Sequence, residues 1–305
     1  MAAYVIRRLF ISIPTVFLVV TAVFFAFQVI PGDAARMYAG DQASVAAVEA
    51  IRVELGLDQP VSVQYLSYLK RLVSGDLGIS FITRRPVTVE IGTRFANTAI
   101  LAFGAIIAST LLGIFMGVVA ALNRGKWLDY FLSVLAVGGI SIPVFWLGLL
   151  LMFLFSLKLH WLPTAGNATW QHYIMPTFCL SVYSVAFITR MARSTVLDVL
   201  GSDYVRTAEA KGLRPKIINI RHVVRNALIP LITTVGLRFG YMLGGAVVTE
   251  TVFAWPGVGR LLVIAVTQRD IPVVQGILLV FASVFLLVNI IVDVLYSVAD
   301  PRLSY

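Results

Sequence analysis

The chain has 305 residues, of which 59% are hydrophobic and only 13% charged, and its mean hydropathy is +0.91. That balance excludes an ordinary soluble domain and points to a polytopic membrane protein. A net charge of +9 invites a nucleic-acid partner, but the basic residues are distributed by membrane side and not gathered on one soluble face, so no nucleic acid is expected.

Six uncharged stretches reach or approach the roughly 20 residues that cross a bilayer. They are Leu9 to Ile30, Asn97 to Leu122, Tyr130 to Leu157, Tyr173 to Thr189, Ala227 to Thr249 with Arg238 as its one interruption, and Ile271 to Val292. The fourth is short and borrows from the uncharged residues before it. Arg7 and Arg8 ahead of the first run suggest a signal peptide, but the run is too long and no small-residue cleavage site follows, so a retained first transmembrane helix is expected. The amino terminus, the 123–129 and 190–226 loops and the tail hold thirteen Lys and Arg, against three in the 158–172 and 250–270 loops. Short loops rich in Lys and Arg stay inside, which makes both termini cytoplasmic. The expected fold is an all-α polytopic membrane protein with six transmembrane helices. Residues 1–30 form a tail and the first helix, 31–96 an extracytoplasmic subdomain, and 97–305 the core, with a cytoplasmic loop at 190–228 between helices four and five.

In the 31–96 segment seven basic and seven acidic residues cancel, as suits a loop too long for the charge rule. Ala43 to Leu55 and Val61 to Val73 are helical candidates, the second with Tyr65, Leu66, Leu69 and Leu72 on one face, separated by the turn-prone LGLDQP. The second and third spans carry Gly104, Gly113, Gly117, Gly138, Gly139 and Gly148, small residues that let membrane helices approach closely. Pro143, in the middle of ISIPVFWLG, is a candidate hinge, although proline is common in membrane helices. Trp161, Trp170 and Tyr173 suit the headgroup zone. His160 and His172 lie there without a nearby carboxylate and read as polar anchors, so no metal is expected. Cys179 is a lone cysteine in an apolar run and excludes a disulfide framework.

Arg238 stands eight positions beyond Pro230, about 12 Å into the membrane. An intramembrane arginine faces the bundle interior or a water-filled path. It either meets a carboxylate of a passing substrate or pairs structurally, with Asp293 or with a carboxylate on a partner subunit. Further on, Glu250, Trp255, Pro256, Gly257 and Gly259 mark a polar turn, followed by a short amphipathic helix at 258–267.

The interval from Tyr204 to Pro230 carries six Lys and Arg against one acid, Glu209. Tyr204 to Lys211 contains good helix formers, Asp203 or Ser202 can cap the start, and Gly212 can supply a left-handed C-cap. After Pro215, Ile217, Ile218, Ile220, Val223, Val224 and Leu228 recur at near-helical spacing, and Pro230 follows. This is a helix-turn-helix block that presents a surface to the cytosol.

EAKG, with DYVRTA before it and RHVVRNALIP after it, resembles the EAA loop of permease subunits of ATP-binding-cassette importers, in the variant of the dipeptide, oligopeptide and nickel group. The strings PGDAARMYAG, LGLDQPV, SGDLGISF, RRPVTVEIGTR, ETVFAWPGVGRLL and RDIPVVQG, and a DPR string in the tail, extend the resemblance to dipeptide-permease B type chains over nearly the whole length. The resemblance implies that Tyr204, Arg206, Thr207, Ala208, Glu209, Ala210, Lys211 and Gly212 form a helix that docks in a cleft of an ATPase subunit. Glu209, Ala210 and Gly212 match the motif, while Ala208 and Lys211 occupy its variable positions. It implies that the helix of Arg238 lines the translocation path, at a position more usually uncharged in the family. It also implies that Glu250, Trp255, Pro256 and Gly257 belong to an outer gate or to the rim that meets a binding protein.

The partners implied are a homologous second permease, two cytosolic ATPase subunits carrying ATP and Mg, an extracytoplasmic solute-binding protein and the lipid of a prokaryotic inner membrane. The chain itself has no GxxxxGK[ST] loop, nucleophile elbow or HExxH helix, so no catalytic residue and no cofactor are expected in it. Di- or oligopeptides are the expected substrate, with glutathione or nickel import as alternatives within the family. The alternative from another class is an ion-coupled secondary transporter acting through Arg238 or Asp293. Against it stand the single membrane acid near a helix end and the docking loop.

Overall fold

The computed structural model describes residues 2–29, 33–40, 42–214, 217, 218 and 223–299. Pro215 and Ile220 of the basic loop, and the DPRLSY tail, lie outside the described residues. Among the described residues the regular structure is helical, apart from an isolated antiparallel bridge between Ile79 and Pro86. Helix α1 covers Ala2–Val29, α2 Ala34–Ala39, α3 Val45–Glu54, α4 Val61–Val73, α5 Val87–Leu122, α6 Trp127–Ser141 and α7 Val144–Leu151. Then come α8 at Ile174–Leu200, α9 at Asp203–Ala210, α10 at Arg225–Val252, α11 at Val258–Thr267 and α12 at Ile271–Ala299.

Four helical segments are long and apolar enough to cross a membrane: Val87–Leu122, Trp170–Leu200, Pro230–Val252 and Ile271–Val294. Helix α1 carries a shorter apolar stretch, Ile13–Val29. The expected third span is not one rod. It breaks between α6 and α7, whose axes turn by 102°, because Pro143 has no N–H to continue the ladder and its ring drives Ile142 out of the helical region. Ile142 has ψ 122° and Pro143 ψ 132°, both extended. Beyond Leu151 the chain widens into a π-helical stretch, Met152–Lys158.

The core is built on α5 and α8, which run side by side in the same direction. A Cβ on Gly113 would stand 2.7 Å from the Cβ of Ile188, and one on Gly117 would stand 2.5 Å from the Cβ of Ala192 and 2.6 Å from the Thr189 carbonyl. Backbone approach of that kind supplies dispersion where the hydrophobic effect between membrane helices is weak. A second pair of glycines, Gly236 and Gly240 on α10, receives Val292 and Phe285 of α12. Leu101, Ala102, Ala105, Leu180, Met242 and Ala246 close the centre between α5, α8 and α10. The outer surfaces stay apolar, with Phe103, Leu111, Phe115 and Leu287 more than half exposed, as lipid or a partner helix requires.

The 36 residues of α5 make a rod of about 54 Å, longer than a hydrocarbon layer of about 30 Å. Its first turns pack Val87 and Ile91 with Phe27 at the end of α1 and with Leu77, just beyond α4. There α4 packs Tyr65, Tyr68, Leu69 and Leu72 on Val16, Val20 and Phe24 of α1, and Tyr65 shares a 2.6 Å hydrogen bond with Thr21. Burial against α1 pushes the Tyr68 phenol upward. Leu66, expected on that face, is 65% exposed; Tyr68 takes its place.

Candidate coupling helix and translocation elements

At the end of the bundle away from α2–α4, Ser202 precedes α9 in extended conformation and Gly212 follows it with φ +74°. The amide of Leu213 donates to the Ala208 carbonyl at 3.3 Å and that of Gly212 to Glu209 at 2.9 Å. These are the two bonds of a Schellman cap, which needs a left-handed residue at the position of Gly212. The helix is amphipathic on a small scale. Val205 and Ala208 are buried with Ala121 of α5, Val196 of α8, and Ile218, Val223 and Ala227 on the chain leading into α10. Tyr204, Arg206, Thr207, Glu209, Ala210, Lys211 and Gly212 are exposed. Ala208, one of the eight expected docking residues, therefore faces its own chain. Asn226 donates to the Tyr204 hydroxyl at 3.2 Å, which adds a tie to α10.

Pro230 lies inside α10, near its start, as the expected span from Ala227 to Thr249 requires. A little over two turns further on, Arg238 is met by rings, and among the described residues no ion pair holds it. Its guanidinium lies 3.4 Å from the Phe187 centroid, with Tyr241 and Tyr183 at 5.3 and 5.7 Å, and its Nε is buried without a hydrogen-bond partner. Pro143, the other expected pathway residue, sits at the α6–α7 break.

Glu250, Trp255 and Gly257 are buried, and Pro256 is half-buried. Glu250 and Trp255 are both 0% exposed, so neither presents a surface to a partner. The Glu250 carboxylate accepts the Thr98 hydroxyl at 2.6 Å and the Arg260 amide at 2.9 Å. A carboxylate from α10 thus caps the first turn of α11, where free amides and the helix dipole favour negative charge. Thr98 in turn accepts the Val258 amide at 2.8 Å. Asn97 donates to the Pro256 carbonyl and receives the Trp255 indole N–H, and Trp255 meets Tyr173 edge-on at 4.4 Å. The four residues form a locked corner joining α5, α10 and α11.

Two further polar locks are not expected from sequence. Asp129 in the first turn of α6, 3% exposed, takes a fork of hydrogen bonds from Arg193 of α8 at 2.6 and 2.8 Å and one from the Gly125 amide. Asp270, in the turn between α11 and α12, accepts the buried Ser80 hydroxyl and the Phe81 amide. The signal was present in pieces: Ser80 falls in SGDLGISF and Asp270 in RDIPVVQG, and these strings touch in space. His172 acts locally, its Nδ1 accepting the Thr169 amide at 3.1 Å to cap the turn before α8. The Cys179 thiol donates to the Val144 carbonyl, which makes it a helix-facing core residue. Among the described residues no group of three or more His, Cys, Asp or Glu could hold a metal ion. Between α2–α4, α1 and the start of α12 lies a cavity of about 1010 Å³, on whose wall Asp33 and Arg52 form a 2.6 Å ion pair.

A bundle of apolar helices of bilayer length, with a capped, exposed helix at one end and a small folded layer at the other, is the architecture of a polytopic membrane protein. The family model for binding-protein-dependent transport system inner membrane components matches residues 109–305, and the model for the N-terminal part of such membrane components matches residues 1–102. The chain belongs to this family and is a permease subunit of an ATP-binding-cassette importer of the dipeptide, oligopeptide and nickel group, which displaces the ion-coupled alternative. It is 45% identical, over 305 residues and the full length of both chains, to the glutathione transport system permease protein GsiC of Escherichia coli strain K12 and to that of Salmonella paratyphi A. The fold is similar to that of the inward-facing methionine ABC transporter MetNI in its CY5 native crystal form, with TM-score 0.57, 18% identity, and coverage of 67% of this chain and 93% of the other. It is also similar to an amino acid ABC transporter with histidines, with TM-score 0.52, 17% identity, and coverage of 71% and 95%.

Proposed function

We propose that this chain forms half of the translocation pathway of a peptide importer, with α9 as the element through which cytosolic ATPases drive it. The observation that carries the reading is the split character of α9. Val205 and Ala208 anchor it to α5, α8 and the start of α10, while the motif residues Glu209, Ala210 and Gly212 are exposed. A partner that grips the exposed face moves the membrane helices through the anchored one. The second half of the pathway is a homologous permease, two ATPases carry the ATP and Mg, and a solute-binding protein delivers substrate at the α2–α4 end. Both termini are cytoplasmic, and the chain divides into a first helix at 1–30, an extracytoplasmic subdomain at 31–96 and a core at 97–305. Pro143 works as the pivot of the α6–α7 elbow. Locked as they are, Glu250, Trp255, Pro256 and Gly257 hold the outer corner in shape beneath the rim and do not touch the binding protein. Similarity to a glutathione permease along the whole chain favours glutathione or another short peptide as substrate.

Mass spectrometry of the intact complex, drawn from its native membrane through a tag on this chain, tests the assembly. The parent brings down a second permease and ATPase subunits. A Glu209→Ala, Gly212→Pro variant keeps the permease and loses the ATPases. Recovery of the chain alone, with transport intact, refutes the reading.

A further inference from the structure

We infer that Arg238, framed by Phe187, Tyr183 and Tyr241, is a carboxylate-binding station in the translocation pathway that makes this permease favour substrates with free carboxylates. The inference rests on the peptide-import reading above and adds the chemistry by which the membrane part itself selects.

Two exposed stripes meet at this point. Along α10, Leu237, Tyr241, Gly244 and Val248 are exposed at spacings of four, three and four residues, which is one helical face. Along α8, Tyr183 and Arg190 are exposed and Phe187 half-buried, again on one face. Arg238 lies where the stripes adjoin, its guanidinium 3.4 Å from the Phe187 centroid, and Tyr241 beside it is 66% exposed. A face carrying Arg238 and two tyrosines in the membrane-spanning part of the chain, with Arg190 at its edge, is too costly to present to hydrocarbon; such residues line water or protein.

The ordinary resting state of an intramembrane arginine is an ion pair. Among the ion pairs of the described residues none contains Arg238 or Arg190, and the Arg238 Nε is a buried donor without an acceptor. Stacking on a ring compensates part of the charge and fixes the plane of the guanidinium. It leaves the rim of N–H donors, whose fork geometry matches a carboxylate, to be satisfied from the open side. The tyrosine hydroxyls add donors of the same kind. Arg190, three residues along α8 from Phe187, is about 4.5 Å further along the axis and extends the positive stripe for an anion leaving the station.

The test uses the complete complex of both permeases, ATPases and binding protein in proteoliposomes. Uptake of glutathione is compared with uptake of glutathione diamide, which has no free carboxylate. The ratio of the two rates in each variant is divided by the parent ratio, so that the preference of the binding protein cancels. Arg238→Gln lowers this normalised ratio about tenfold or more, the loss of a charge-assisted pair. Arg238→Lys, which keeps the charge and loses the fork, falls between. Equal loss of both substrates, an unchanged ratio, or loss of the second permease from purified Arg238→Gln complex overturns the proposal; the last result makes Arg238 a structural partner of the other subunit. A parent complex that hydrolyses ATP on adding the loaded binding protein yet imports neither compound refutes the peptide reading itself, and the station with it.

Discussion

Replacing Glu250 by alanine removes the acceptor shared by Thr98 and the Arg260 amide, where Thr98 is 1% exposed and Glu250 0%. A buried donor left without an acceptor costs about 1–3 kcal/mol, so the two orphaned groups together cost about 2–6 kcal/mol. Part is offset because no carboxylate has then to be stripped of water, which leaves a net loss of about 1–4 kcal/mol. A second substitution makes the prediction sharper. A Cβ on Gly257 would stand 2.3 Å from the Glu250 carboxylate, and the Gly257 backbone, at φ −104°, accepts alanine without strain. Gly257→Ala alone is therefore destabilising, but in the Glu250→Ala background the clash is gone and the added methyl fills vacated space. The non-additive part is expected at about 1–2 kcal/mol, as for residues in direct contact. Thermal unfolding of the purified complex in lipid nanodiscs, across the four members of the cycle, measures it. An unchanged midpoint for Glu250→Ala, or equal effects of Gly257→Ala in both backgrounds, refutes the reasoning.

Gly212→Val places a branched side chain at φ +74°, at a cost of about 1–2 kcal/mol. It should abolish ATPase stimulation by the loaded binding protein, whereas Gly212→Asn, tolerated in that region, keeps most of it. Gly117→Ala, whose new carbon meets Ala192 and the Thr189 carbonyl, should cost about 1–3 kcal/mol by overpacking. Gly138→Ala, with nothing within 4 Å, should be neutral or stabilising by up to about 1 kcal/mol; thermal midpoints of the two variants compare them directly. Asp129→Asn breaks the fork with Arg193 and should cost about 3 kcal/mol, the low end for a buried pair, because the Arg193 side chain is 32% exposed. Arg193→Gln in the same background should restore part of that loss, as read in denaturant midpoints.

What was legible in the sequence was whatever depends on neighbours along the chain. The start, stop and left-handed cap of α9 follow from Ser202, a run of helix formers and Gly212, all within one short segment. Features that depend on distant partners were not legible. Glu250 reads as part of a polar turn because its acceptor role is defined by Thr98, 152 residues earlier. Ser80 and Asp270 are 190 residues apart, and neither side chain announces the other. Pro143 marks a break, but proline only frees a carbonyl and forbids a helical neighbour; the 102° turn is set by where α7 packs, with Gly148 against Val252 and Phe253. Leu66 and Tyr68 exchange roles for a similar reason. Helical spacing admits both to a broad face, and the ring of Phe24, which meets both Tyr65 and Tyr68, selects the aromatic one.

The glycine seam between α5 and α8 has a mechanical consequence. Where backbones touch at Gly113 and Gly117 no side chains remain to slide or repack, so the two helices bend and tilt as one beam. That beam is seated on α9 through Ala121 and Val196 and reaches the other surface through a rod of about 54 Å. With so long a lever arm, a tilt of about 5° at the α9 end sweeps the far end through about 5 Å. Stiffness at the seam thus converts a small displacement at the α9 end into a large one at the opposite end of the bundle, without any intermediate element having to change shape.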